Sequence, residues 1–143
     1  MTGDTVMKKV KLAIPLQPDA EMEASKVAME IAESMRMTPD RIDEVGHAVV
    51  EACINALEHS HATEPISVAF EVLGSQDPEE LRITVQDKGV GFSPEPEDAE
   101  EPPPGARPRK RGSGLKIMRG LMDELEIHSV LGEGTTVVMS KMR

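Results

Sequence analysis

Val50 to His61 reads VEACINALEHSH, and the rest of the chain is arranged around this stretch. Glu51, Asn55 and His59 recur at four-residue intervals. At about 100° per residue, that interval sets a carboxylate, an amide and an imidazole on neighbouring strips of one helix face. Ala52, Cys53 and Ala56 fall on another side and form an apolar stripe meant for a core. Taken alone, the polar sector, which also takes in Glu44, His47 and Glu58, reads as a solvated face. Against that reading stands Asn55, a poor helix former with no local reason to sit in mid-helix.

The helix has a clear beginning. Thr38 reads as its N-cap and Pro39 as its first residue, so it should run from there to about His59. Ile42, Val45 and Val49 extend the core stripe, widened by Val50 and Leu57. Upstream, Val6 to Leu16 alternates, with Val10, Leu12 and Ile14 on one side and Lys9 and Lys11 on the other. This is the pattern of a half-buried strand at a sheet edge, where lysines discourage unwanted pairing. Pro18 and Asp19 should open a first helix, whose Ala20, Ala24, Val27, Ala28, Ile31, Ala32 and Met35 recur at helical spacing. Met29 and Met37 fall off that stripe and read as stray surface residues.

Downstream, Ile66–Leu73 and Leu81–Gln86 are strand-like runs around the turn formers Gly74 to Pro78. They predict a hairpin whose second strand delivers Asp87 to its end. Ser93 to Gly105 is Pro, Glu, Asp and Ala, followed by Arg107, Arg109, Lys110 and Arg111. Nothing in it can bury apolar area, and positions 92–111 are expected to form a mobile lid. Helical periodicity resumes from Gly112 to Glu124 through Leu115, Ile117, Met118, Leu121 and Met122. Leu125–Val130 and Thr135–Met139 are then two strands around a turn at Gly132 to Gly134. The order predicts a two-layer α/β (α+β) sandwich: a mixed, largely antiparallel sheet with helices on one face, in a single domain over 1–143.

Composition narrows the function. The 143 residues carry a net charge of -10, which argues against nucleic acid, since phosphate binding needs clustered positive charge. With two Phe and no Trp or Tyr, the core must be aliphatic, and the ten Met serve mostly as soft filler. One cysteine, Cys53, excludes an internal disulfide and fits a reducing compartment. No apolar run reaches the length of a membrane span, and no signal-peptide core is present. A cytoplasmic protein is expected, with no nucleic acid or membrane partner.

The glycine-bearing segments carry the chemistry. Asp87-Lys88-Gly89-Val90-Gly91 lacks the oxygen ligands of a calcium loop, and Gly112-Ser113-Gly114 lacks the third glycine of a dinucleotide fingerprint. Asp87 at a strand end can accept a hydrogen bond from an exocyclic amine, while its glycines let backbone lie against a ligand; a plain turn fits the pentapeptide as well. Gly112 and Gly114 open a helix behind Arg109, Lys110 and Arg111. Unpaired N–H groups, the helix dipole and the basic cluster together suit a polyphosphate. Magnesium would then be held by phosphates, waters and one protein oxygen, which Asn55 can give. Glu51, one turn away, is placed to deprotonate a hydroxyl attacking the terminal phosphoryl group. The combination predicts an ATP site.

Together these segments resemble the GHKL ATPases, the superfamily of gyrase-type ATPases, heat-shock chaperones and histidine kinases. Glu51-x-x-x-Asn55 is similar to its N box, Asp87-x-Gly89-x-Gly91 to its G1 box, and Gly112-x-Gly114-Leu115 to its G2 box. Gly132-x-Gly134-Thr135 is similar to the last glycine-threonine segment. The length and the run GLKIMRGLMDELEI resemble the partner-switching anti-sigma factor serine/threonine kinases. That resemblance implies a Bergerat ATP-binding fold, a homodimer, and two protein partners: a sigma factor held inactive and an anti-anti-sigma (STAS) protein phosphorylated on Ser or Thr. It implies Glu51 as catalytic base, Asn55 as magnesium ligand, Asp87 as adenine contact, Gly89 and Gly91 beside the lid, Gly112 and Gly114 at the phosphates, and Thr135 behind the adenine. Arg109, Lys110 and Arg111 as phosphate ligands follow from charge alone. The chain departs from the family in His59-Ser60-His61, where a tyrosine is common, and in its long acidic, proline-rich lid. A nucleotide-gated binding module without useful kinase activity is the alternative. The catalytic domain of a histidine kinase would need a preceding phosphorylatable His, and none occurs before His47.

Overall fold

The structure, a computed structural model, describes residues 5–59, 64–89, 110–130 and 132–143, with His59 and residues 110–114 as backbone. Five strands form one antiparallel sheet: β1 (Thr5–Ile14), β2 (Ile66–Gly74), β3 (Pro78–Asp87), β4 (Glu124–Val130) and β5 (Gly134–Met142). Their spatial order is β1-β2-β3-β5-β4, so β1 is an edge as its lysines suggested. Among the described residues three helices accompany the sheet: α1 (Glu21–Ser34), α2 (Pro39–His59) and α3 (Lys110–Leu121).

Period-two alternation becomes a layer through register. Val10, Phe70, Ile83, Met139 and Leu125 are successive cross-strand partners from one edge to the other. Leu12, Val68, Val85, Val137 and Ile127 form the next row. These rows face the helices and meet the small stripe of α2, where Val45, Ala48, Val49, Ala52 and Cys53 are fully buried. The intervening row, Lys11, Ala69, Thr84, Val138 and Glu126, lies on the other face. Each buried aliphatic side chain contributes about 1.5–3 kcal/mol, and these rows are the main source of the fold's stability.

Several boundaries differ from expectation, each for a local reason. Pro18 and Asp19 form a turn, and α1 begins at Glu21; Asp19 takes a left-handed φ of 66°, which an Asp side chain tolerates better than most. Met37 is core, only 5% exposed, and Met29 is half-buried against Gly46. The chain turns back between α1 and α2, carrying Met37 inward although it lies off the α1 stripe. On α2 the expected cap holds: the Thr38 hydroxyl oxygen accepts the Arg41 N–H at 3.4 Å. β3 and β5 are longer than their hydrophobic runs because cross-strand pairing continues through polar residues, from Gly74–Pro78 and Glu80–Met142 at one end to Asp87–Thr135 at the other. The sheet is antiparallel throughout, with no parallel pair among the described strands.

Candidate functional site

Beyond the apolar rows, the helix-facing side of the sheet ends in a polar one. Asp87 on β3 pairs in register with Thr135 on β5, and Thr135 pairs with Ser129 on β4. Asp87 and Thr135 are buried, at 6% and 8% exposure. The Asp87 carboxylate turns back on its own chain, its Oδ1 accepting the Gly89 N–H at 2.9 Å. Such an Asx turn ends β3 and holds one carboxylate oxygen still. Thr135 and Ser129 share a hydroxyl–hydroxyl bond of 2.8 Å. Ser129 is absent from the sequence-based site, although its alternation with Ile127 and the short Gly132–Gly134 turn already put it opposite Thr135.

The approach of β5 to this corner depends on Gly134. Its φ is +108°, and a Cβ there would collide with the Asp87 carbonyl oxygen and lie 2.9 Å from Lys88 Cα. A side chain would therefore push the end of β3, and Asp87 with it.

On α2, Glu51 and Asn55 are both half-buried, while His47 and Glu58 are exposed. His47 Nε2 lies 3.9 Å from Glu51 Oε2, one turn apart. Among the described residues the Asn55 side chain makes no hydrogen bond. Cys53, on the opposite side of the helix, is inert: burial pushes its thiol up to about 12, with the Glu21 carboxylate adding to the effect. Among the described residues no three His, Cys, Asp or Glu side chains converge on a possible metal position. No described helix is long and apolar enough to cross a membrane.

The structure thus gathers Asp87, Gly89 and Thr135 in one corner, and packs α2, which carries Glu51 and Asn55, against both β3 and α3. α3 begins at Lys110, two residues before the expected start. Lys110 and Arg111 therefore belong to the helix and not to the lid. With that start, the described N–H groups lacking an intrahelical partner are those of residues 110–112. Leu115 is half-buried against the core. Gly91 and Arg109, and with them nearly all of the expected lid, lie outside the described residues.

The profile of the histidine kinase-like ATPase domain matches residues 14–141. The chain belongs to this family. A curated relative, an anti-sigma F factor of Clostridium acetobutylicum, is 30% identical over 135 residues, 93% of this chain and 92% of the relative. The anti-sigma F factor of Geobacillus stearothermophilus is 33% identical over 106 residues, covering 73% of this chain and 71% of the relative. Among solved structures, the RsbU and RsbW domains of a Mycobacterium tuberculosis protein superpose with a TM-score of 0.68 at 20% identity, covering 95% of this chain and 33% of that one. That likeness speaks for the fold. The histidine kinase-like ATPase assignment bears out the resemblance to the GHKL anti-sigma factor kinases drawn from the sequence motifs.

Proposed function

We propose that this protein is an ATP-dependent protein serine/threonine kinase and anti-sigma factor, which sequesters a sigma factor and phosphorylates an anti-anti-sigma (STAS) protein. The observation that carries the reading is the buried Asp87, locked to Gly89 and in register with Thr135, within a histidine kinase-like ATPase domain whose curated relatives are anti-sigma F factors. Asp87, its Oδ1 held by the Gly89 N–H, accepts a hydrogen bond from the exocyclic amine of adenine. Thr135 supports that pocket from β5. Gly89 and Gly91 let the backbone lie close to the nucleotide. The start of α3, with Arg109, Lys110, Arg111, Gly112, Ser113, Gly114 and Leu115, receives the phosphates.

The Asn55 amide oxygen would hold magnesium, which would supply neutralisation of the charge on the transferring phosphate. Glu51 takes the proton from the substrate hydroxyl as that oxygen bonds to the γ-phosphorus. The bond to the β–γ bridging oxygen breaks, and ADP leaves. The protein works as a cytoplasmic homodimer.

Incubation with labelled ATP, magnesium and the STAS partner tests the proposal. Glu51→Gln should keep nucleotide affinity and lower transfer by at least about 100-fold, the scale of a lost general base. ATP bound normally with no transfer in the wild type would leave a nucleotide-gated binding module. Loss of nucleotide in Glu51→Gln would make that residue structural.

A further inference from the structure

Lys141 stands on the helix-facing side of the sheet. On β5 it pairs with Leu81 and shares its side with Met139 and Val137. Its side chain is 6% exposed. An ammonium group so placed must be matched by charge and by acceptors. It donates to the carbonyl oxygen of Leu121, the last residue of α3, and lies 2.9 Å from Glu44 Oε1 on α2. A second set of bonds reinforces the first. Arg41 Nη1 on α2 donates to the Met142 carbonyl at 3.1 Å and lies 3.7 Å from Asp123 Oδ2. The Met142 N–H donates to that same Asp123 oxygen at 2.6 Å, and the Asp123 N–H donates to the Ser140 carbonyl at 2.9 Å. The C-terminal end of α3 is thus tied to α2 and to β5 together.

Among the described residues α3 also packs through apolar side chains, partly methionine: Leu115, Met118 and Leu121, with Met122 just past its end. Such contacts hold a helix down but resist tilting weakly, because burial is non-directional and Met side chains adapt. The polar junction supplies the direction.

We infer that Lys141 is a positioning residue for the phosphate end of the nucleotide site. By holding the end of α3 against Glu44, it sets where the first turns of that helix, which include Gly112 and Gly114, stand relative to Glu51 and Asn55 further along the same α2. The inference rests on the ATP reading above. Nine residues separate Leu121 from Gly112, about 13 Å of helix, so a tilt of roughly 5° at the junction moves the phosphate end by about 1 Å. A displacement of that size is enough to spoil alignment of reacting groups.

Calorimetry on the full chain with magnesium, well below the melting temperature, tests this. Lys141→Met keeps the length of the side chain and removes the ammonium; Lys141→Arg keeps a cation. Lys141→Met should weaken ATP about tenfold while AMP, which carries no terminal phosphates, changes by less than about twofold, and Lys141→Arg should recover most of the loss. A lower melting temperature with an unchanged ratio of ATP to AMP affinity would reduce Lys141 to a structural role and overturn the inference. Should Lys141→Met fail to fold, Glu44→Gln loosens the same tie from its more exposed side and should weaken ATP severalfold; unchanged affinity there overturns the inference as well. A wild type that binds no ATP would overturn the nucleotide reading itself, and this inference with it. A wild type that binds ATP, with variants that bind it equally, would overturn the inference alone.

Discussion

Gly134→Ala probes the backbone contact that holds Asp87 in place, and Gly132→Ala is its internal control. Both glycines have positive φ, +108° and +84°. Nothing lies within 4 Å of a Cβ added at Gly132, whereas at Gly134 it meets the Asp87 carbonyl oxygen and the Lys88 Cα. Gly132→Ala therefore carries only the cost of an L-residue in left-handed backbone, roughly 1 kcal/mol. Gly134→Ala carries that cost and an overlap of backbone with backbone, where no side chain can swing aside. Overpacking of this sort adds about 2 kcal/mol, for roughly 3 kcal/mol in all. For a domain of this size each kcal/mol lowers the melting temperature by about 3 °C, so the two variants should fall by about 3 °C and about 9 °C. Thermal unfolding followed by circular dichroism gives both values. Because the overlap displaces the end of β3, Gly134→Ala should also lose adenine-nucleotide affinity while still folded, and Gly132→Ala should not. Melting temperatures within about 2 °C of each other would refute the close approach of β5 to Asp87.

Other outcomes follow from the same geometry. Asp87→Asn keeps an oxygen for the Gly89 N–H but turns an amide N–H toward the adenine amine; it should stay within about 1 kcal/mol of wild-type stability and lose at least about tenfold in ATP affinity by calorimetry. Met37→Ser should cost about 2–4 kcal/mol in urea unfolding, a core effect that a surface methionine would not give. Burial holds the Cys53 thiol protonated to about 12, whereas the unfolded chain releases its proton from about 9.0. Its contribution is complete below pH 9 and is lost as pH rises toward 12, so the wild-type urea midpoint should drop more steeply over that window than that of Cys53→Ala.

Most of the fold was legible because its signals are local. The Thr38-Pro39 start, the alternation of β1 and the stripe through Val45, Val49 and Ala52 each lie within one element, and each formed as read. Met37 was misread for an equally local reason. Helical phase was carried one turn past the end of α1, into a segment where the chain reverses and phase no longer tells inside from outside. The start of α3 was displaced because Gly112 and Gly114 weigh against helix while Lys110 and Arg111 favour it, and the helix forms across all four.

The site divides in the same way. Glu51, Asn55 and Asp87 could be proposed from the sequence because a face of one helix and the end of one strand are properties of short runs. Ser129 and Lys141 were missed because their roles exist only after strands pair. Ser129 matters through Thr135, across a turn, and Lys141 through Leu121 and Glu44, which belong to two different helices. A lysine in the alternating run of β5 gives no local sign that it is the residue turned inward. Register supplies that sign: Lys141 has the parity of Met139 and Val137, so its ammonium must be buried, and a buried ammonium must be matched. Both partners it finds belong to helices proposed to grip the nucleotide, and for that reason a residue outside every recognisable motif can govern the alignment of those within them.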